Sequence, residues 1–193
     1  MDDTIELNPP PSLEAIKRDS AAVGFKMSSE DRTGAFLRVL AASKPHGALL
    51  ELGTGTGILT AWILDGMDAA SILVTVDSEA AYVEIARRHL GKDPRVVFHV
   101  DDGADFLHKL GGREFDFIFA DTWPGKFDHL DDALNLLRPG AFYVVDDLMP
   151  QANWPEGHAP KVPMLISQLE RDPRLTVCRL SWSSGLVVAT RRR

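Results

Sequence analysis

Acidic residues placed directly after apolar runs are the groups in this sequence best able to do chemistry. Leu49-Leu50-Glu51-Leu52 leads into Gly53-Thr54-Gly55-Thr56-Gly57, and the run Ile72 to Val76 leads into Asp77-Ser78. Val96 to Val100 leads into Asp101-Asp102-Gly103, Phe115 to Ala120 into Asp121-Thr122-Trp123, and Ala141 to Val145 into Asp146-Asp147. Carboxylates so placed can accept hydrogen bonds from a ligand's hydroxyl or amino groups, or hold a hard cation through oxygen. The glycines serve a different purpose: a turn without Cβ atoms lets the backbone come close to a bound molecule. The spacing is not that of a dinucleotide binder, because Ile58 stands where the G-x-G-x-x-G fingerprint needs its third glycine.

Such residues act together only if the chain gathers the ends of its strands. The apolar runs predict strands at Ala48 to Leu52, Ile72 to Val76, Val96 to Val100, Phe115 to Ala120 and Ala141 to Val145. Helical stretches lie between them, at Ile58 to about Leu64, Glu79 to Leu90, Ala104 to Leu110 and Leu130 to Leu137. Two helices precede the first strand, one from an N-cap at Ser12 to about Ser20, the other from Glu30 to Ser43. Strands alternating with helices, and apolar along their whole length, predict a parallel sheet covered on both faces. After a Pro-, Trp- and Gly-rich loop and a helix at Val162 to Glu170, the runs Leu175 to Leu180 and Leu186 to Thr190 are too closely linked for a parallel crossover. They predict a terminal antiparallel hairpin. The result is an α/β fold with a seven-stranded, mostly parallel sheet, its strand ends forming one site.

Composition narrows the partners. At 193 residues the chain predicts a single domain, with a loosely held arm and short helix over 1–24 and a core over 25–193. A net charge of −7 argues against a surface that tracks nucleic-acid phosphates. No apolar run approaches a membrane span, and the N-terminus lacks the basic and apolar regions of a signal peptide. Cys178 is the sole cysteine, so no intrachain disulfide forms; a cytoplasmic location is expected, and Cys178 reads as a small core residue. A small molecule is the expected partner, with neither nucleic acid nor membrane; a homodimer is left open.

The glycine turn, with Asp77 one strand later, resembles the first motif of class I S-adenosylmethionine-dependent methyltransferases. That resemblance implies a Rossmann-like sheet and a cofactor held by Glu51, Gly53, Thr54, Gly55, Gly57, Asp77 and Ser78, with Asp77 on the ribose hydroxyls. It also implies Asp102 and Gly103 beside the adenine. N-capping of the following helices is the competing role for Asp77 and Asp102. Phe115-Asp116-Phe117-Ile118-Phe119-Ala120-Asp121-Thr122-Trp123 resembles the fourth-strand motif of the catechol and caffeoyl-CoA type of O-methyltransferases. There the acid binds Mg²⁺ and the Trp lies near the cofactor, which implies these roles for Asp121 and Trp123. In the same family the next strand ends in Asp-Asn, here Asp146-Asp147, implying a metal set of Asp121, Asp146 and Asp147. Met27-Ser28-Ser29-Glu30 resembles the segment over the methionine end of the cofactor, which implicates Met27 and Ser29. Pro124 occupies the position of the family's catalytic lysine, and Lys126 lies two residues beyond it.

The implied reaction moves a methyl group from S-adenosylmethionine to a hydroxyl of a small aromatic molecule. A carboxylate-held Mg²⁺ would lower the hydroxyl's pKa and orient it; alternatives are a metal-independent small-molecule methyltransferase and a non-catalytic cofactor-binding regulator. Asp121, Lys126 and His158 are the candidate catalytic residues, and Trp123 and Trp154 could wall an aromatic substrate. His158, in the long loop from Met149, reads either as a base near neutral pH or as an exposed polar residue. His46, His89, His99 and His108 read as structural or surface groups.

Overall fold

The five apolar runs form parallel strands β1 (Ala48–Leu52), β2 (Ile72–Asp77), β3 (Val96–Val100), β4 (Phe115–Ala120) and β5 (Leu137–Val145) in a computed structural model that describes residues 7–193. Two further strands, β6 (Leu175–Leu180) and β7 (Leu186–Arg191), pair antiparallel, and β7 pairs antiparallel with β5. The order across the sheet is β3-β2-β1-β4-β5-β7-β6. The chain therefore winds outward in one direction from β1 and in the other from β4. Among the described residues seven helices accompany the sheet: α1 (Leu13–Ala22), α2 (Asp31–Ala42), α3 (Ile58–Gly66), α4 (Ala80–Leu90), α5 (Gly103–Lys109), α6 (Leu130–Asn135) and α7 (His158–Arg171). None is long and apolar enough to cross a membrane among the described residues.

Side-chain alternation along the strands divides the core between two faces. Leu49, Leu73, Phe117, Phe119 and Val144 pack with Leu13 and Ile16 of α1, Leu37 of α2 and Trp62 of α3. Their neighbours Leu50, Leu52, Ile118, Ala120 and Val145 pack on the other face with Phe106 of α5, Leu134 of α6 and Leu165 of α7. Burial on both faces is why these strands read as continuous apolar runs.

Several boundaries differ from expectation for local reasons. β5 begins at Leu137 because Leu137 pairs with Phe115 before the register shifts, drawing Pro139-Gly140 into the strand. α7 begins at His158, four residues early: Pro160 lies in the first turn, where its missing N–H has no intrahelical acceptor. Ser12 precedes α1 but makes no side-chain cap. The arm is not loose over residues 7–10, since Arg38 donates to the carbonyls of Leu7 and Asn8 at 2.8 and 2.7 Å and Pro10 is buried. The first six residues lie outside the described ones. Cys178 is exposed rather than in the core, because β6 is an edge strand and Cys178 alternates with Val177, which packs inward.

Candidate active site

Strand register sets the site. Leu52 is level with Val76 on one side and Ala120 on the other, and Ala120 is level with Val145. The next residue of each strand or turn is Asp77, Gly53, Asp121 or Asp146, so all four emerge in one row where the winding reverses between β1 and β4. In open parallel sheets, this is where ligands bind. A cavity of about 490 Å³ opens there, a size typical of small-molecule sites. Of the residues expected from the sequence, Met27, Ser29, Gly53, Gly55, Asp77, Ser78, Asp121, Trp123, Lys126, Asp147 and His158 line it. Glu51, Thr54, Gly57, Asp102, Gly103, Asp146 and Trp154 do not, and each has another position.

On the β1–β2 side the polar groups support the turn. Gly55 N–H donates to Asp77 Oδ2 at 2.8 Å and Glu79 N–H to Oδ1 at 3.0 Å, so Asp77 joins the turn to the start of α4 and still faces the cavity with lone pairs to spare. Gly57 sits at φ +91°, and a Cβ there would lie 2.8 Å from that of Ala86; its lack of a side chain lets α4 pack. Beneath the turn, Thr54 bonds Thr75, and Thr75 and Thr60 each donate to Glu51 Oε2 at 2.6 Å. Glu51 is wholly buried and its Oε1 lacks a partner among the described residues. Burial raises its pKa to about 8, despite the two hydroxyls that favour the anion. Asp102 caps α5, accepting from Ala104 and Asp105 N–H at 2.9 and 3.1 Å through Oδ1, while Gly103 leaves room for Pro124.

The β4–β5 side is built from buried charge. Asp121 accepts from Ser29 Oγ at 3.3 Å; its burial and the charges of Asp146 and Asp147 raise its pKa to about 7, against the opposing pull of Lys126. Asp146 is 1% exposed; it accepts from Ser184 Oγ and Asp147 N–H, and burial raises its pKa too. Asp147, at φ +64°, accepts from Trp154 Nε1 at 2.6 Å. Lys126 is 2% exposed and donates from Nζ to the Asp146 carbonyl at 2.7 Å. His158 stacks on Trp154 at 4.5 Å, and its Nε2 lies 3.1 Å from the Asp147 carbonyl. Burial pulls its pKa below the usual imidazole value. Trp123 lines the cavity as expected, whereas Trp154 stands behind Asp147 and His158 and holds both.

The three carboxylates do not assemble into a cation cage. Among the described residues, the one group of three whose donor atoms all lie within 4.8 Å of one another is His108, His129 and Asp132, on the surface between α5 and α6. Asp121, Asp146 and Asp147 instead face separate protein donors. As placed, this set does not fit a divalent ion, contrary to what the resemblance implies.

Three segments distant in sequence close the mouth. Asn153 reaches the Lys26 carbonyl at 3.3 Å, Ser183 Oγ donates to Glu30 at 2.9 Å, and Trp182 Nε1 donates to the Arg32 carbonyl at 3.0 Å. Phe25, Tyr82 and Ser184 line the cavity without having been expected. Phe25 meets Tyr82 edge-on at 4.8 Å and faces Gly55, whose added Cβ would lie 3.1 Å from its ring. No motif marks these residues, because only tertiary folding brings them to the turn.

Comparison with known proteins agrees with this architecture. A family model described as a methyltransferase domain matches residues 50–148. A catechol O-methyltransferase of Mycobacterium tuberculosis is 29% identical over 153 residues, covering 77% of this chain and 70% of that protein. A cofactor-bound protein from MTB superposes with a TM-score of 0.86 at 26% identity, over 99% of this chain and 94% of the other. An O-methyltransferase of Bacillus cereus, solved in complex with SAH, shares the fold with a TM-score of 0.82 at 22% identity, over 94% and 90% of the two chains.

Proposed function

The chain belongs to the S-adenosylmethionine-dependent methyltransferases of the O-methyltransferase family, and from that premise we propose that it methylates a hydroxyl of a small aromatic molecule. The observation that carries this reading is a single cavity lined at one end by Gly53, Gly55 and Asp77 and at the other by Trp123, Lys126 and His158. The glycine end suits the cofactor, with Asp77 accepting from the ribose hydroxyls and the 27–29 segment over the methionine end. The other end suits an acceptor ring against Trp123.

The step is an in-line displacement. The acceptor oxygen bonds to the methyl carbon as the carbon–sulfur bond breaks, the electron pair leaves on sulfur, and the hydroxyl proton passes to a base. His158 has the properties of that base. Its lowered pKa keeps the imidazole neutral near pH 7. With Nε2–H donated to the Asp147 carbonyl, Nδ1 remains the acceptor.

Incubation with methyl-labelled S-adenosylmethionine and a panel of phenols, catechols, aliphatic alcohols, amines and thiols tests the reading. Label should appear on aromatic hydroxyls, and His158→Ala should lower kcat about 100-fold without weakening S-adenosylhomocysteine binding. Transfer to amines or thiols alone, or to no acceptor, would overturn it.

A further inference from the structure

We propose that the ammonium of Lys126 is the resident cation of the acceptor site, in place of the divalent ion that the resemblance to the catechol type implies. The inference deepens the reading above and rests on it for the identity of the site. Lys126 comes five residues after Asp121 and is carried back into the cavity by the turn through Pro124 and Gly125. Gly125 makes that return possible: it sits at φ +85°, and a Cβ there would lie 2.3 Å from Leu52 Cδ1. The turn is fixed by Gly125 N–H to the Asp128 carbonyl at 2.6 Å, Lys126 N–H to the Trp123 carbonyl at 3.1 Å and Tyr143 Oη to the Gly125 carbonyl at 2.7 Å. The lysine stem is buried, and its Nζ is bound at 2.7 Å to the backbone of Asp146. It has little freedom to swing away and admit another cation.

The acids around it match this occupant. Burial pulls the Lys126 ammonium below its usual pKa, and the charges of Asp121, Asp147 and Asp146 oppose that pull and favour the cation. Asp146 and Asp147 each spend a carboxylate oxygen on a protein donor, Ser184 with the Asp147 N–H for the first and Trp154 for the second. These bonds all fall on Oδ1 and leave the Oδ2 atoms to a neighbouring cation. An ammonium needs no ring of converging ligands and tolerates this arrangement. Functionally, the acceptor oxygen then sheds its proton beside a positive charge, in a cavity that Asp121 and Asp147 also line.

Mn²⁺ uptake by the full-length, cofactor-free protein tests the proposal, read from the paramagnetic resonance signal of free Mn²⁺. A His108→Ala background removes the surface His–His–Asp group as a competing site. The Lys126-containing protein should take up no Mn²⁺ at up to about 1 mM. Lys126→Met should bind one Mn²⁺ per chain at least tenfold more tightly, and Lys126→Arg, which keeps the charge, should not. Stoichiometric uptake by the Lys126-containing protein that is abolished by Asp147→Ala would overturn the proposal, as would a folded Lys126→Met that gains no affinity. Should Lys126→Met fail to fold, Lys126→Gln carries the same comparison, and the Lys126-containing arm alone can still overturn the proposal. None of these readouts needs turnover, so an unidentified acceptor would leave them intact.

Discussion

The two ends of the cavity are built on different principles. Around the glycine turn, the polar groups are neutral hydroxyls, backbone amides and one half-exposed carboxylate. Their partners lie on the adjoining strand and helix, as with Asp77 between Gly55 and Glu79. At the acceptor end, buried titratable groups are held by segments far apart in the chain, as Ser184 holds Asp146 across 38 positions. The first end depends on backbone shape and tolerates variation in what lies beyond it. The second depends on charge balance, so a single substitution changes every group there. A fold that places both at one row of strand ends can keep its cofactor end constant while the acceptor end changes.

If the ends are separable, Asp77→Ala should produce the largest cleanly one-sided effect. It removes the carboxylate that accepts from Gly55 and, on the proposed reading, from the ribose. Charge-assisted hydrogen bonds contribute about 1.5–3 kcal/mol each, so S-adenosylhomocysteine affinity should fall about 100-fold by titration calorimetry. The Lys126 and His158 variants should leave that affinity within about threefold of wild type. A large affinity loss in those variants would break the comparison.

The same contrast explains what the sequence could reveal. Gly53, Gly55 and Asp77 were legible because a strand, a turn and a strand-end acid are local patterns, and parallel pairing then aligns them automatically. The lysine was visible at position 126, but not its burial, which depends on Gly125 packing against Leu52 and on the hydroxyl of Tyr143. Ser184 and Phe25 carried no signal, since their roles arise only when the β6–β7 turn and the 25–30 segment meet. The metal expectation came from identities at strand ends. The side chains of Asp146 and Asp147 turn to Ser184 and Trp154, partners that strand position alone does not specify. Trp154 was expected to wall a substrate and instead anchors Asp147, for the same reason.

Glu51 offers a second, smaller contrast. It lies under the cofactor turn but carries the buried-acid character of the other end. Its folded pKa of about 8 exceeds the usual value of 4.5, so the native state holds this proton more tightly than the unfolded chain. By linkage, the associated stability is fully present below about pH 4.5 and is lost as pH rises toward 8. Asp121, raised to about 7, acts with the same sign. Glu51→Gln should remove part of this loss, on the order of 2 kcal/mol, when urea midpoints of the cofactor-free protein are compared at pH 5 and pH 8. An unchanged slope would show that Glu51 is ionised in the folded protein.

The smallest effect separates two roles for Asp102. Its Oδ1 already accepts from two N–H groups at the start of α5, and the residue does not line the cavity. Capping therefore accounts for the carboxylate without a ligand. Loss of an N-cap of this kind costs about 1 kcal/mol, so Asp102→Ala should lower the unfolding free energy by that amount, and Asp102→Asn should restore most of it. On the capping role, S-adenosylhomocysteine affinity stays within about twofold of wild type in both variants once the protein is folded. If Asp102 accepts from the adenine amino group, Asp102→Asn behaves differently: its one acceptor oxygen is committed to the helix and its amide presents N–H groups to another donor. Affinity would then fall about tenfold in a variant of near-normal stability. That outcome would place a ligand contact outside the cavity lining and show that the turn after β3 moves inward when the cofactor binds.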